Sequence, residues 1–287
     1  MYEGQRLVCK GKKIGGRMKI NIGEHEFTES WDGVLYKVLS DYPKVSDNEM
    51  KDILDFIAYE KMNGRRCEIT ADRQDILHYV LEEVKHPDKY KNVRRPQIIR
   101  ECTACTARGG CMTDFVCHTA PLENAISILR CGSLLSAVNA RQLPDTVLQK
   151  EERNAANDPV DYFHYVMFSW GNCQAGDRLV MERKIKRSPT PEEMGAGFTP
   201  GVRFYFRYED LEKHPQKVHD GFLPIKVKDE VKLADYVYRI IIPSEYKKQI
   251  IRVIPENLLD RAFCLNHKNL DVWQWSEKVY SFVKGLK

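Results

Sequence analysis

The chain has 287 residues with 43% hydrophobic and 30% charged side chains, and its formal net charge is +4. This composition is typical of a soluble globular protein with a buried core, and no run of about 18 apolar residues is present to span a membrane. We expect a cytoplasmic protein, because the N-terminus lacks the apolar segment of a signal peptide. The nine cysteines are then expected to be thiols or metal ligands rather than a disulfide framework.

Residues 1–95 are predicted to form a mainly helical domain. Alternating apolar residues indicate one strand at the start of residues 17–30, where Met18, Ile20 and Ile22 follow each other at every second position. Three amphipathic patterns come next along the chain. They predict helices over residues 32–43 and 46–64, and a third helix that begins in the segment from residue 71 and ends before Pro87.

A basic stretch at residues 85–108 follows the predicted helices. From Val84 to Arg108, seven Lys or Arg residues stand against two Asp or Glu residues. Such a stretch can follow a phosphate backbone, which makes nucleic acid an expected partner. The alternative interpretation is a solvated helix end and loop. Its proline-containing part is the best linker to a second domain.

Residues 96–287 contain short strand-like runs rather than long helices. The runs are separated by a helix at residues 121–131, a polar segment at 139–161 and loops rich in Gly and Pro. The last residues, from Asn269, predict an amphipathic C-terminal helix. Because regular alternation of strands and helices is missing, we predict an α+β fold with a mixed, largely antiparallel sheet.

Four cysteines lie close together in sequence, at Cys102, Cys105, Cys111 and Cys117. The CxxC pair can bind zinc because its two thiolates reach one side of a tight turn. The spacing of the full set matches no common zinc pattern closely. Thiols without metal are therefore the alternative to a zinc site.

His118 follows Cys117 in a predicted strand, so the two side chains should point to opposite faces. A short amphipathic helix begins after Pro121 and ends at Gly132. This arrangement holds the histidine rigidly at a strand end. It fits either a structural histidine or one that faces a ligand.

Aromatic residues crowd the segment from residue 162 to residue 170. Tyr162 and Tyr165 are among them, and small and polar residues follow. Alternating aromatic side chains can line a slot for a planar ring, although they more often form core and cross-strand pairs. The chain contains no glycine-rich phosphate loop.

The order of these motifs resembles the ADP-ribosyltransferases of the diphtheria-toxin type, with the DarT-like DNA thymidine ADP-ribosyltransferases as the nearest pattern. The resemblance covers roughly residues 115–247. It rests on an ordered set of short motifs: Cys117-His118-Thr119, the helix sequence ENAISIL at 123–129, Gly132, Leu134-Leu135-Ser136, an arginine-bearing segment, the aromatic run at 161–165, IKVKD at 225–229 and IIIPS at 240–244.

The resemblance implies a split-sheet fold and NAD as a substrate, with ADP-ribose passed to nucleic acid or protein, or NAD hydrolysed. It implies that His118 and Thr119 bind the ribose of NAD. Tyr162 or Tyr165 is implied to stack on the nicotinamide ring.

The resemblance also implies charged site residues. Arg153 or Arg141 is implied to hold the pyrophosphate or the acceptor. Pro224 stands where the family has its catalytic glutamate, so Asp220 or Glu182 is expected to supply the carboxylate. If neither residue supplies the carboxylate, the alternative function is expected. The chain would then be a non-catalytic nucleotide-binding or nucleic-acid-binding module on the same fold.

Overall fold

The computed structural model describes residues 17–25, 28–31, 33–94, 112–151 and 160–286. The described chain combines helices with mixed sheets, which confirms the α+β class. Four predicted site residues lie outside the described residues, namely Arg153, Cys102, Cys105 and Cys111. Residues 95–108 of the basic stretch also lie outside them.

The described residues between 17 and 94 form a four-stranded sheet with two α-helices, followed by a short 3-10 helix at Pro87–Tyr90. In chain order the elements are Arg17–Ile22 (β1), Glu29–Trp31 (β2), Val34–Lys37 (β3), Asp47–Met62 (α1), Arg66–Ala71 (β4) and Gln74–Glu83 (α2). The sheet order is β2-β3-β1-β4, and β1 pairs in parallel with both β3 and β4. Side chains of α1 and α2 pack against the apolar face of this sheet.

The helix predicted over residues 32–43 is wrong, because this segment contains β3. Its apolar residues fit a helical stripe, but Val34–Lys37 pairs with β1, and every second residue from Leu35 to Leu39 is buried. The expectation of a mainly helical N-terminal region therefore left out most of a four-stranded sheet. The strand predicted from Met18, Ile20 and Ile22 is confirmed, and all three side chains are buried.

Residues 112–286 contain ten strands among the described residues. They are Phe115–Ala120 (β5), Ser133–Leu135 (β6), Tyr165–Met167 (β7), Ser169–Trp170 (β8), Val202–Arg207 (β9), Lys217–Val218 (β10), Lys226–Lys228 (β11), Glu230–Lys232 (β12), Val237–Pro243 (β13) and Ala262–Leu265 (β14). The main sheet has the order β14-β13-β9-β5-β8, with antiparallel pairing except between β13 and β14. Two smaller antiparallel sheets have the orders β10-β11-β7 and β12-β6.

Short helices surround these sheets, and the longest one follows the last strand. They are Leu122–Cys131 (α3), Ala137–Arg141 (α4), Asp145–Glu151 (α5), Ala175–Ile185 (α6), Tyr208–Leu211 (α7), Leu233–Tyr236 (α8), Lys247–Ile250 (α9) and Val272–Gly285 (α10). The predicted C-terminal helix is confirmed as α10, which Asp271 caps. The predicted helix at 121–131 is confirmed as α3.

The main sheet is covered by apolar groups on both faces. On one face its side chains share a core with residues of the two small sheets, among them Val166 and Val227. On the other face they pack against α6 and α10, where Trp275 is fully buried. In this order β5 lies between β9, which pairs along its whole length, and β8, which covers only part of its outer edge.

A fully buried ion pair connects β9 to α6. Arg203 Nε donates to Asp177 Oδ2 over 2.9 Å, and neither side chain is exposed to water. Asp177 Oδ1 also accepts from the backbone N–H of Gly201 at 2.7 Å. Arg203 Nη2 donates to Ser276 Oγ of α10 at 2.5 Å. Three elements thus meet at one guanidinium group.

Replacing Asp177 by Asn should lower the free energy of unfolding by about 3–5 kcal/mol, because the Arg203 guanidinium then stays buried without a counter-charge. Urea denaturation followed by circular dichroism measures this change. The matched control is Glu193→Gln, which removes the exposed ion pair with Arg187. This control should leave stability unchanged, and an equal loss in both variants would contradict the assignment.

Candidate functional site

His118 lies on β5 just beyond the end of its neighbour β8. β8 pairs only with Val116 and Cys117, whereas β9 pairs with the whole of β5 along the opposite edge. The outer edge of β5 at His118 is therefore not paired to β8. The side chain of His118 is half-buried there.

The carbonyl oxygen of Met167 holds the imidazole of His118, at 3.1 Å from Nδ1. Met167 ends β7 of a small sheet, and β8 of the main sheet begins two residues later. The chain thus crosses from one sheet to the other at the buried residue Phe168, whose ring meets the imidazole edge-on at 6.3 Å. His118 is fixed at this crossing.

The hydrogen bond to Met167 determines what the imidazole of His118 can offer to a ligand. A carbonyl oxygen only accepts, so Nδ1 must be the protonated nitrogen. Burial lowers the pKa of His118, and the positive charge of Arg183 acts in the same direction. The ring is therefore neutral at neutral pH and presents Nε2 as an acceptor. The structure records no partner for Nε2 among the residues it describes.

Thr119 and Cys117 lie on the other face of β5 from His118, as the strand alternation predicts. Cys117 Sγ is 3.7 Å from Thr119 Oγ1. The N-terminal turn of α6 covers this pair, since a Cβ added at Gly176 would lie 2.3 Å from Thr119 Oγ1. The structure thus does not bring Thr119 and His118 together at one surface.

Tyr162, Tyr165 and Asp220 are brought together, but around a residue that the sequence did not indicate. Lys226 of β11 is fully buried, and its Nζ lies 3.9 and 4.8 Å from the ring centroids of Tyr162 and Tyr165. The ring of Tyr59, from α1, is the nearest at 3.7 Å. We call these three rings, together with Asp220, the Lys226 cage.

Asp220 is committed to bonds within this cage. Its carboxylate accepts from the backbone N–H groups of Phe222 and Leu223 at 3.0 and 2.7 Å. It also accepts from Tyr162 Oη at 3.3 Å and lies 3.0 Å from Lys226 Nζ. Asp220 is fully buried. In this arrangement it stabilises the fold and does not contact His118.

Glu182 and Arg141 stand apart from this cage in the fold. Glu182 lies on α6, is nearly buried and accepts a hydrogen bond from Ser188 Oγ at 3.4 Å. Arg141 is exposed in the last turn of α4. Among the described contacts, no hydrogen bond or ion pair joins either residue to His118.

Reasoning from the sequence missed Lys226 and Tyr59. Lys226 stands between Ile225 and Val227, and a lysine between two apolar residues gives no sign in the sequence that its side chain is buried. Tyr59 belongs to a helix far away in sequence. No local signal in the chain could pair these residues, because their contact exists only after the two parts of the fold have packed.

Three lysines in the described part of the basic stretch are paired with carboxylates. Lys85 lies 2.6 Å from Glu82, Lys89 2.8 Å from Glu83, and Lys91 2.6 Å from Asp88. Nearby carboxylates therefore balance these three lysines. Nucleic acid stays a predicted partner of residues 85–108, with most of the stretch beyond the described residues.

The zinc prediction also stays a prediction. The described residues contain no group of three or more His, Cys, Asp or Glu side chains placed to hold a metal ion, and three of the four predicted ligands lie outside them. Burial raises the pKa of Cys117 to about 12, which keeps its thiol protonated.

Comparisons of the chain with protein-family models, with curated proteins and with solved structures found no match. In the part of the chain that the structure describes, no helix has the length and apolar character needed to cross a membrane.

Cys117 should react with iodoacetamide at pH 8 at least about a hundredfold more slowly than the exposed Cys131, because its thiol is buried and protonated. Mass spectrometry of native protein, first stripped of metal with a chelator, measures both rates. Labelling in denaturant, where the two rates should converge, is the control. Equal rates in the native protein would contradict the buried position of Cys117.

Proposed function

We propose that the chain consumes NAD, as an ADP-ribosyltransferase or an NAD glycohydrolase, and that His118 binds the ribose next to the nicotinamide. One observation supports this most directly. His118 lies where the chain crosses between two sheets, with Nδ1 fixed by the Met167 carbonyl and Nε2 left as an acceptor. The order of motifs from His118 to Pro243 points to the same substrate.

The proposed reaction breaks the bond between the anomeric carbon of the ribose and the nicotinamide nitrogen. The bonding electron pair leaves with nicotinamide, which becomes neutral, and the sugar passes through an oxocarbenium-like state. The acceptor, a nucleic-acid or protein nucleophile or water, bonds to the anomeric carbon and gives its proton to a base. His118 Nε2 accepts a hydrogen bond from a ribose hydroxyl, which orients the sugar for this step.

A second candidate function is favoured by the positions of the two expected carboxylates. Asp220 is fully buried beside Lys226, and Glu182 is nearly buried and bonded to Ser188. Of the carboxylates in the described residues, neither of these two is free to stabilise the cation and accept the proton of the acceptor. This arrangement fits a module that binds NAD or another nucleotide without turning it over.

The release of nicotinamide from NAD distinguishes these functions. The purified chain is incubated with NAD, with and without single-stranded DNA or RNA, and nicotinamide is measured by mass spectrometry. His118→Ala should reduce the release by about a hundredfold or more, because the ribose is no longer oriented. The matched control is His78→Ala, which removes an exposed histidine of α2 and should leave the release unchanged.

The outcomes separate the two candidates. NAD binding in calorimetry that His118→Ala weakens, without any release by the parent chain, supports the non-catalytic module. Release that is equally fast in His118→Ala refutes the site. Neither binding nor release in the parent chain refutes both candidates. If release requires an oligonucleotide and leaves ADP-ribose on it, nucleic acid is the acceptor.

A further inference from the structure

Five ionisable side chains meet in the interior where α1 and the following turn pack against the β10-β11-β7 sheet, which we call the small sheet. They come from distant parts of the chain and comprise Glu60, Arg65, Asp161, Asp220 and Lys226. We call them the junction cluster. It includes the Lys226–Asp220 pair of the Lys226 cage and extends it toward residues 17–94.

The cluster is closed to water on its inner side. The side chains of Glu60, Asp220 and Lys226 have no exposed surface, while those of Arg65 and Asp161 are 16% and 20% exposed. Charges in such a place are expensive to bury unless they are paired and hydrogen-bonded. The balance of charge inside the cluster is therefore a strong constraint on its protonation.

The cluster has one acid more than it has cations. Glu60, Asp161 and Asp220 contribute three negative charges when ionised, whereas Arg65 contributes one positive charge and Lys226, whose pKa burial lowers, contributes a second when it is protonated. The sum of three negative and two positive charges is one buried negative charge. A single bound proton removes this excess.

The hydrogen bonds show which carboxyl group can take the proton at least cost. Asp161 accepts from Arg65 Nη1 at 2.8 Å and from the hydroxyl of Tyr59, so both of its oxygens are bonded. Asp220 accepts from two backbone N–H groups and from Tyr162, and it faces Lys226. The oxygens of both carboxyl groups are therefore occupied by hydrogen-bond donors.

Glu60 differs from the other two acids. Its Oε2 accepts from Arg65 Nε, but its Oε1 is buried without a hydrogen-bond partner. Burial raises the pKa of Glu60 and outweighs the effect of Arg65. For Asp161 burial acts in the same upward direction, but the hydrogen bonds from Arg65 and Tyr59 prevail and lower its pKa.

The groups that face Glu60 come from every element packed around it. They are Arg65 after α1, Cys67 of β4, Asp161 before β7 and Lys226 of β11. Lys226 is in turn surrounded by Tyr59, Tyr162, Tyr165 and Asp220. Their two positive charges are those already counted. Arg65 pairs with Asp161 as well as with Glu60, and Lys226 pairs with Asp220. Glu60 therefore has no cation that pairs with it alone.

We propose that the junction cluster is a proton-sensitive clamp: Glu60 holds one proton in the folded protein, and loss of that proton weakens the packing of α1 against the small sheet. The clamp does not depend on the proposed NAD chemistry. It makes the attachment of residues 17–94 stronger in acid than in alkali.

The direction of the pH effect follows from the folded and unfolded states of Glu60. Its pKa is raised in the folded protein, so the stabilisation is complete below the unfolded value of about 4.3. It is lost as the pH rises through the folded pKa. Between the two values only the folded state holds the proton, and each pH unit should favour unfolding about tenfold.

The test compares the parent chain with Glu60→Gln, a neutral side chain of nearly the same shape that keeps an acceptor for Arg65. Urea denaturation from pH 4 upward gives the unfolding constant of each protein. The ratio of parent to variant should be flat below pH about 4.3 and then rise about tenfold per pH unit until the folded parent loses its proton. The matched control is Glu68→Gln, since Glu68 is exposed on β4.

For Glu68→Gln, the unfolding constant of the parent divided by that of the variant should not change with pH. If the same ratio for Glu60→Gln also does not change with pH, the clamp is refuted. A second measurement covers the case in which Glu60→Gln does not fold. Carbon-13 NMR follows the chemical shift of the Glu60 side-chain carboxyl carbon in the parent chain as the pH changes. The signal is assigned through the backbone resonances of Glu60. A midpoint above the ordinary glutamate range supports the clamp, and a midpoint at or below that range refutes it.

Discussion

The burial of one ammonium group, that of Lys226, constrains much of this fold. A charge without exposed surface is tolerated only where the protein replaces water around it, and here a carboxylate and three tyrosine rings do so. These partners come from both parts of the chain, because Tyr59 belongs to α1 and Asp220 precedes β11. Neither part alone can surround the ammonium. The attachment of the N-terminal sheet and helices is therefore part of the core and not a loose contact between two domains.

The same lysine is connected to the candidate site through the backbone. Lys226 pairs with Met167 across the small sheet, and the carbonyl oxygen of Met167 holds His118. A shift of β11 would thus move the group that fixes the imidazole. The connection also explains the fate of Asp220, which the resemblance suggested as a catalytic acid. Its carboxylate is the counter-charge of Lys226. Moving this carboxylate to a ligand at the surface would leave a buried ammonium without a counter-charge, which is strongly destabilising.

Local patterns in the sequence predicted those features that depend on neighbours along the chain. The alternation of Met18, Ile20 and Ile22 predicted β1, and the opposite orientation of Cys117 and His118 followed from strand geometry. β3 was missed because Leu35 and its neighbours fit a helical stripe until β1 lies beside them. The Lys226 cage was missed for a similar reason. Tyr59 and Asp161, which share a hydrogen bond beside the cage, are 102 residues apart, and no periodicity connects such positions.

The protonation of His118 limits the class of ligand that the site can take. A phosphate group would require a positively charged imidazolium, but burial and the nearby charge of Arg183 both oppose its formation. The neutral ring, held at Nδ1, presents an acceptor at Nε2 and suits a hydroxyl or amide donor. A sugar hydroxyl meets this requirement, whereas the pyrophosphate of a dinucleotide does not. His118 therefore suits the role proposed for it at the ribose of NAD, a role in which contacts with the phosphates come from other side chains.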